Sequence, residues 1–141
     1  MDTHQLHKNS EFSIKFIKLV MLNFKQKENL FNANEIKLNL GLNSFFSKSL
    51  ENNIQLDLGI RLKLLQEDNN NNIEIGTIEA GISGIFIYKN EINQKLLPNL
   101  ASILYSYLRP IVAQISVMAK LPPIDLPVLD LSKIEVKEIK E

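Results

Sequence analysis

The alternation of apolar and polar residues predicts four β-strands in the N-terminal two thirds of the chain. It runs from Phe12 to Phe24, resumes from Ile36 to Asn43, and is most regular from Ile54 to Leu64. A period of two places successive side chains on opposite faces of a strand, so each segment is expected to bury one face. A fourth strand is predicted from Ile73 to about Tyr88.

The first strand is unusual because its middle is apolar at both odd and even positions. Ile17, Leu19 and Met21 alternate with Phe16, Val20 and Leu22. Such a stretch is typical of a strand covered on both sides, of a contact with a second subunit, or of a β-bulge.

The connection between the third and fourth strands is predicted to be a hairpin turn at Asp68–Asn72, because Asn and Asp tolerate turn conformations. Further along the fourth strand, the apolar positions change parity near Gly81 and Gly84. A parity change beside glycine predicts a bulge or a bend in that strand.

The spacing of apolar residues changes to three and four from Leu97 to Ala119, which predicts an amphipathic helix. Pro110 is expected to kink or divide it. The segment Leu121–Leu131, rich in proline, is predicted to lie extended against the body. Ser132 and Glu135 have the spacing of a capping box, so the tail is expected to form a last helix of two turns or to fray.

This order of elements predicts an α+β fold, in which a four-stranded antiparallel sheet is packed by a long C-terminal helix and a short final element. We expect residues 1–11 to be a flexible lead-in, residues 12–131 to form one domain, and residues 132–141 to be a short charged tail.

Composition narrows the classes of function. The 141 residues contain 16 Lys+Arg and 16 Asp+Glu, and this balance argues against a nucleic-acid binder. No run of about 18 apolar residues is present, so stable membrane insertion is not expected. The absence of cysteine and of an apolar N-terminal leader favours a cytoplasmic protein.

The sequence offers little for catalysis. The two histidines, His4 and His7, could face one way on a helix as metal ligands, but two solvated side chains near a chain end are the simpler interpretation. No phosphate-binding glycine motif is present. The odd separation of Glu74 and Glu79 would place them on opposite faces of a strand. We therefore predict no enzyme, no catalytic or metal site and no cofactor.

Three segments resemble the SecB family of export chaperones. They are Glu79–Ile87 (EAGISGIFI), Leu97–Arg109 (LPNLASILYSYLR) and Leu121–Val128 (LPPIDLPV). The resemblance implies a holdase that binds unfolded polypeptides, including preproteins for export. Two alternatives stay open, a dedicated chaperone of one client such as an antitoxin and a non-enzymatic homo-oligomeric assembly module.

The resemblance also implies a homotetramer built as a dimer of dimers, for which we select Ile17, Leu19 and Met21 as interface residues. The sequence departs from the family where acidic residues meet the SecA motor, since Met21 and Lys25 stand there. This departure predicts weak or absent SecA docking.

The candidate client-binding residues are aromatic or apolar, because a client without a fixed shape is held by apolar contact. They are Phe45, Phe46, Phe86, Tyr105, Tyr107 and Leu108. Phe86 and one of the tyrosines could instead fill the core. Phe45 and Phe46 cannot both face inward on a strand. Arg109 is expected either to pair with a carboxylate or to be solvated.

Overall fold

The computed structural model describes residues 12–27, 36–49, 51–89 and 95–139. It consists of one sheet with a long helix on one face. The elements in chain order are β1 (Phe12–Gln26), β2 (Lys37–Lys48), β3 (Asn53–Asp68), β4 (Asn71–Tyr88), α1 (Leu96–Met118) and β5 (Lys137–Glu138). The predicted α+β class with four long strands and a long helix is confirmed.

The sheet is mixed and five-stranded, which corrects the expected antiparallel sheet of four. Its strand order is β1-β4-β3-β2-β5. The four long strands are antiparallel to their neighbours, whereas β5 runs parallel to β2. The backbone N–H of Ile139 continues this pairing by donating to the Phe46 carbonyl at 2.8 Å.

The tail forms β5, and the predicted terminal helix is therefore wrong. Ile134 and Val136 are half-buried, whereas the intervening Glu135 is exposed, and this period of two is that of a strand. The edge of β2 supplies backbone hydrogen-bonding partners that a two-turn helix lacks.

The predicted hairpin turn is confirmed. Asp68 pairs with Asn71, and Asn69 and Asn70 between them have φ angles of 51° and 68°. Two consecutive residues with positive φ give a turn whose twist matches that of the flanking strands. Asparagine reaches this conformation more easily than most residues.

The core lies between α1 and the face of the sheet that carries the even-numbered residues of β3 and β4. These side chains are buried without exception from Ile54 to Leu64 in β3 and from Ile78 to Phe86 in β4. The helix contributes Leu100, Leu104 and Leu108, all fully buried. The alternation in the sequence therefore identified the buried face of β3.

Two β-bulges divide β1. Relative to β4, the register shifts between Ile14 and Phe16 and again between Leu19 and Met21, so that Lys15 and Val20 are extra residues. Of the three explanations for the apolar middle of β1, the structure shows the bulge. The prediction of a bulge within β4 near Gly81 was wrong, since β4 is regular there and its partner is bulged.

Helix α1 runs unbroken through Pro110, so of the two expected effects of this proline the division into two helices is wrong. The carbonyl of Ser106 loses its helical donor at this proline. Because Ser106 and Pro110 are both exposed, water can replace that donor. By length and mean hydropathy α1 could cross a membrane, but 44% of its most apolar window is buried in the fold. Core helices share these properties, so the absence of membrane insertion stays a prediction.

Candidate functional site

The two faces of the sheet differ in cover. Helix α1 packs on one face of β3 and β4, and we call this face of the sheet the helix side. Directly paired residues on neighbouring strands point to the same face. The side chains that point away from the helix form the open face, and the register assigns to it Phe16, Met21, Phe45, Asp57, Arg61, Glu79, Ile85 and Ile87.

The open face has an apolar end and a charged end. At the apolar end Phe16 pairs with Ile85, and the Lys18 ammonium lies 5.7 Å from the centre of the Phe16 ring, a cation–π contact. At the charged end Arg61 pairs with Glu79. Both ends carry exposed side chains, so this face offers apolar and electrostatic contacts to a partner.

On the helix side, β1 extends beyond the cover of α1. Ile14, Leu19 and Leu22 point to this side and are exposed by 46%, 40% and 46%. Isolated exposed leucines are common on protein surfaces, but a row along one edge strand is not. This row is a candidate contact surface.

The outer face of α1 is also apolar. Tyr107, Val117 and Met118 are exposed, and Ile103 and Ile111 beside them are half-buried. Arg109 is the only charged residue of α1. A helix that is apolar on both sides is typical of one buried between two layers.

The proposed oligomer residues do not share one surface. Ile17 pairs with Gly84 and Leu19 with Ile82, which places both on the helix side. Met21 pairs with Gly81 on the open face, because the bulge at Val20 reverses the orientation of the residues that follow. Alternation alone placed the three residues on one face, and the bulge separates them.

Four of the six proposed client-binding residues lie in the core of the protomer. Phe46, Phe86, Tyr105 and Leu108 are buried between the sheet and α1. The Phe86 ring also meets Phe12 edge to face, with 5.9 Å between ring centres. In this conformation these side chains stabilise the fold and do not form an exposed groove.

The other two candidates, Phe45 and Tyr107, are accessible but lie far apart in the architecture. Phe45 is half-buried on the open face, and Tyr107 is 48% exposed on the outer face of α1. The sheet and the helix lie between them. Within one protomer, the structure therefore does not unite them in a single groove.

The motif residues Tyr105 and Arg109 hold the proline-rich segment onto α1. The Tyr105 hydroxyl donates to the Pro127 carbonyl at 2.6 Å, and Arg109 Nε donates to the Leu126 carbonyl at 3.1 Å. Burial raises the pKa of Tyr105, and the nearby Arg109 charge partly opposes that rise. Neither expectation for Arg109 was met, since its partner is a backbone carbonyl. The predicted extended segment is confirmed, with Ile124 buried within it.

A groove of about 380 Å³ lies between the start of α1 and the tail. Leu97 and Pro98 line it from the helix, and Lys133, Ile134 and Val136 line it from the tail. Sequence reasoning missed this groove because it treated the tail as a separate element. The alternation of Ile134 and Val136 was the signal that could have revealed it.

Across the described ranges, no group of three or more histidine and acidic side chains could hold a metal ion. His4 and His7 lie outside those ranges.

Comparison with solved structures identifies the fold. The chain matches the SecB-like chaperone Rv1957 of Mycobacterium tuberculosis, solved with a ChAD peptide from the Rv1956 HigA1 antitoxin. The TM-score is 0.68 at 18% sequence identity, over 89% of this chain and 94% of that one. The fold is SecB-like.

A protein of unknown function from Streptococcus agalactiae also matches, with a TM-score of 0.44 and 12% identity over 83% of this chain and 97% of that one. No family model and no curated protein matches the chain.

Proposed function

We propose that this chain is a SecB-like chaperone that binds non-native polypeptides in the cytoplasm and has no enzymatic activity or cofactor. The observation that carries the proposal is the apolar surface exposed on β1, on the open face and on the outer side of α1. An electrically neutral chain with a SecB-like fold and three such surfaces is suited to hold partners by apolar contact.

Two of these surfaces suit assembly into a homo-oligomer. The helix-side row of β1 and the outer face of α1 both lie on the helix side of the sheet, so one partner subunit could cover both. We propose a tetramer built as a dimer of dimers, with Ile17 and Leu19 at an interface. Light scattering should give about four times the 16.1 kDa mass of the chain. A monomer at micromolar concentration would contradict this.

The open face then remains for clients, with Phe45 on it beside its direct partner Asp57. Burying apolar area contributes about 25 cal/mol per Å², so a few such contacts can hold an extended chain without specific hydrogen bonds. Ordering the client opposes binding, which keeps each contact weak and reversible. Several protomers in one oligomer would raise the affinity for a long client.

Suppression of client aggregation tests this surface. Phe45→Ser should weaken protection of a denatured client diluted from urea, and Ser47→Ala, on the same strand and face, should not. Phe46 is left intact because its removal would open the core. Full protection by a folded Phe45→Ser variant would exclude Phe45 from the client surface.

The range of clients separates a general holdase from a dedicated chaperone. The M. tuberculosis protein was solved with an antitoxin peptide, which favours keeping the dedicated role as the second candidate. A general holdase would protect several unrelated denatured proteins and could serve preproteins for export. Protection of none of them, together with tight binding of one co-purifying polypeptide, would favour the dedicated role.

We propose that docking to SecA is weak or absent. Met21 and Lys25, the positions at which the resemblance expects acidic residues, both fall on the open face, where they pair with Gly81 and Thr77. Replacing acidic groups by an apolar and a basic side chain removes or reverses electrostatic steering. A tight, salt-sensitive complex with SecA that is lost on substituting Met21 or Lys25 would contradict this.

A further inference from the structure

Three of the five glycines lie side by side on the open face. Gly59 pairs directly with Gly81, and Gly41 lies diagonally across from Gly59 on the next strand, where Asn43 is the direct partner. Gly41 and Gly59 line a depression of about 310 Å³, together with Met21, Asn43, Arg61 and Glu79, among others. Gly81 lies beside it, as the direct partner of Gly59.

Backbone conformation does not explain these glycines. None has a positive φ angle, so each sits in extended backbone that any residue can adopt. Glycine in the interior of a strand is unfavourable because it has no side chain to pack and loses more conformational freedom on folding. Three neighbouring glycines therefore weaken the sheet without a local conformational need.

Packing within the protomer does not explain them either. A Cβ atom added to Gly81 would lie 3.5 Å from a Val20 methyl and 3.7 Å from Met21 Cβ, which are ordinary contacts. At Gly41 the nearest atom would be 3.9 Å away, and at Gly59 the close contact would be the end of the flexible Asn43 side chain.

The other two glycines behave differently. A Cβ on Gly76 would lie 2.9 Å from the Lys25 carbonyl oxygen, and one on Gly84 would lie 2.7 Å from the Phe86 ring. Close packing inside the protomer explains both. A strand glycine without such a reason marks a bulge or a place where a group from outside approaches the backbone. The bulge at Val20 lies opposite Gly81, whereas the pairing of β2 with β3 has no bulge, so Gly41 and Gly59 mark such an approach.

The walls of the depression indicate which group fits. The glycine backbone gives a flat floor, the thioether of Met21 makes favourable contacts with aromatic rings, and the guanidinium of Arg61 can stack on a ring. Asn43 and Glu79 offer oxygen acceptors for a ring N–H or O–H. Val20, exposed and 3.5 Å from the Cβ position of Gly81, adds an apolar side chain beside the depression.

We propose that this depression is a subsite for a tryptophan or tyrosine side chain presented by an extended polypeptide. The inference deepens the proposed function, on which it rests, by assigning a side-chain class to one position of the client surface. An aromatic ring inserted from a second copy of this chain is the competing outcome.

The chain contains no tryptophan, so the emission of a tryptophan peptide reports the peptide alone. The probe is a flexible Gly/Ser peptide with one central tryptophan, added to the full chain and followed by fluorescence anisotropy. Gly41→Val fills the depression. Asn39→Val is the matched control, because Asn39 lies two residues before Gly41 on the same strand and face but does not line the depression. Both substitutions favour strand formation.

Gly41→Val should weaken peptide binding at least about tenfold, because an excluded aromatic ring contributes more than that factor of affinity. Asn39→Val should bind as the unmodified chain does. The denaturation midpoint of Gly41→Val should be equal or higher, so that weaker binding cannot reflect unfolding. Equal peptide affinity of Gly41→Val and the unmodified chain would overturn the subsite.

A second readout separates this inference from the chaperone role. If the unmodified chain and Gly41→Val suppress client aggregation equally and bind the peptide equally, the subsite is excluded and the chaperone proposal stands. If the unmodified chain binds the peptide but protects no client, the chaperone proposal falls. If Gly41→Val shifts the oligomer mass and leaves the peptide affinity unchanged, the depression belongs to a contact between copies and the client subsite is overturned.

Discussion

At the scale of single residues, the hydroxyl of Tyr105 decides how firmly the proline-rich segment is held. Tyr105→Phe removes the hydrogen bond to the Pro127 carbonyl and should lower the free energy of unfolding by about 1 kcal/mol. Tyr107→Phe, on the exposed side of the same helix, should change it by less than about 0.5 kcal/mol. Urea denaturation of both variants measures the difference, and equal losses would contradict this role.

The same hydroxyl predicts a pH dependence. Burial raises the pKa of folded Tyr105 above its ordinary value of 10.0. The folded state then holds the proton more tightly than the unfolded state, and stability falls with rising pH. This contribution is complete below pH 10 and is lost as pH rises through the raised pKa. Tyr105→Phe should show a smaller loss of stability above pH 10 than Tyr107→Phe. If the free energy of unfolding of both variants falls equally above pH 10, the Tyr105 hydroxyl is not the source of the pH dependence.

Two glycines of β4, Gly81 and Gly84, are expected to respond in opposite ways to substitution by alanine. At Gly84 a Cβ would meet the Phe86 ring at 2.7 Å and Leu104 at 3.0 Å, so Gly84→Ala should lower the free energy of unfolding by about 1–3 kcal/mol. At Gly81 the added Cβ has room, and Gly81→Ala should leave stability unchanged or raise it. Thermal or urea unfolding of the pair tests this. Two equal losses would mean that the open face has no room at Gly81.

At the scale of elements, the short strand β5 depends on a small number of backbone hydrogen bonds. Ile139→Pro removes the N–H that donates to the Phe46 carbonyl, and Ile139→Ala keeps it. The proline variant should lose about 1 kcal/mol more than the alanine variant. Hydrogen exchange should rise over residues 132–139 in the proline variant alone. Unchanged exchange would show that the tail is held by the side chains of Ile134 and Val136 and not by the β2 edge.

At the scale of the whole molecule, assembly explains why β1 carries apolar side chains on its helix side. Leu19→Glu would place an unpaired charge in the proposed interface, and burying such a charge is strongly unfavourable. The mass measured by light scattering should fall towards that of the 16.1 kDa chain. Ser13→Glu, on the open face of the same strand, should leave the mass unchanged. A folded Leu19→Glu oligomer of unaltered mass would exclude this surface.

The sequence by itself determined the elements in which the local pattern of residues indicates a single structure. In β3 every even position is apolar from Ile54 to Leu64, so alternation sufficed to find both the strand and its buried face. The asparagine run identified the turn for a local reason, its tolerance of positive φ. The three-and-four spacing identified α1 in the same way.

Only the tertiary structure decided features that depend on a partner strand. The bulges at Lys15 and Val20 exist relative to β4, and the one at Val20 sends Leu19 and Met21 to opposite faces. The tail became a strand because β2 offers an edge. Gly41, Gly59 and Gly81 lie far apart in the chain and meet only through the register of three strands. Register is a long-range property, set by which strands pair and where, and a local pattern of residues does not contain it.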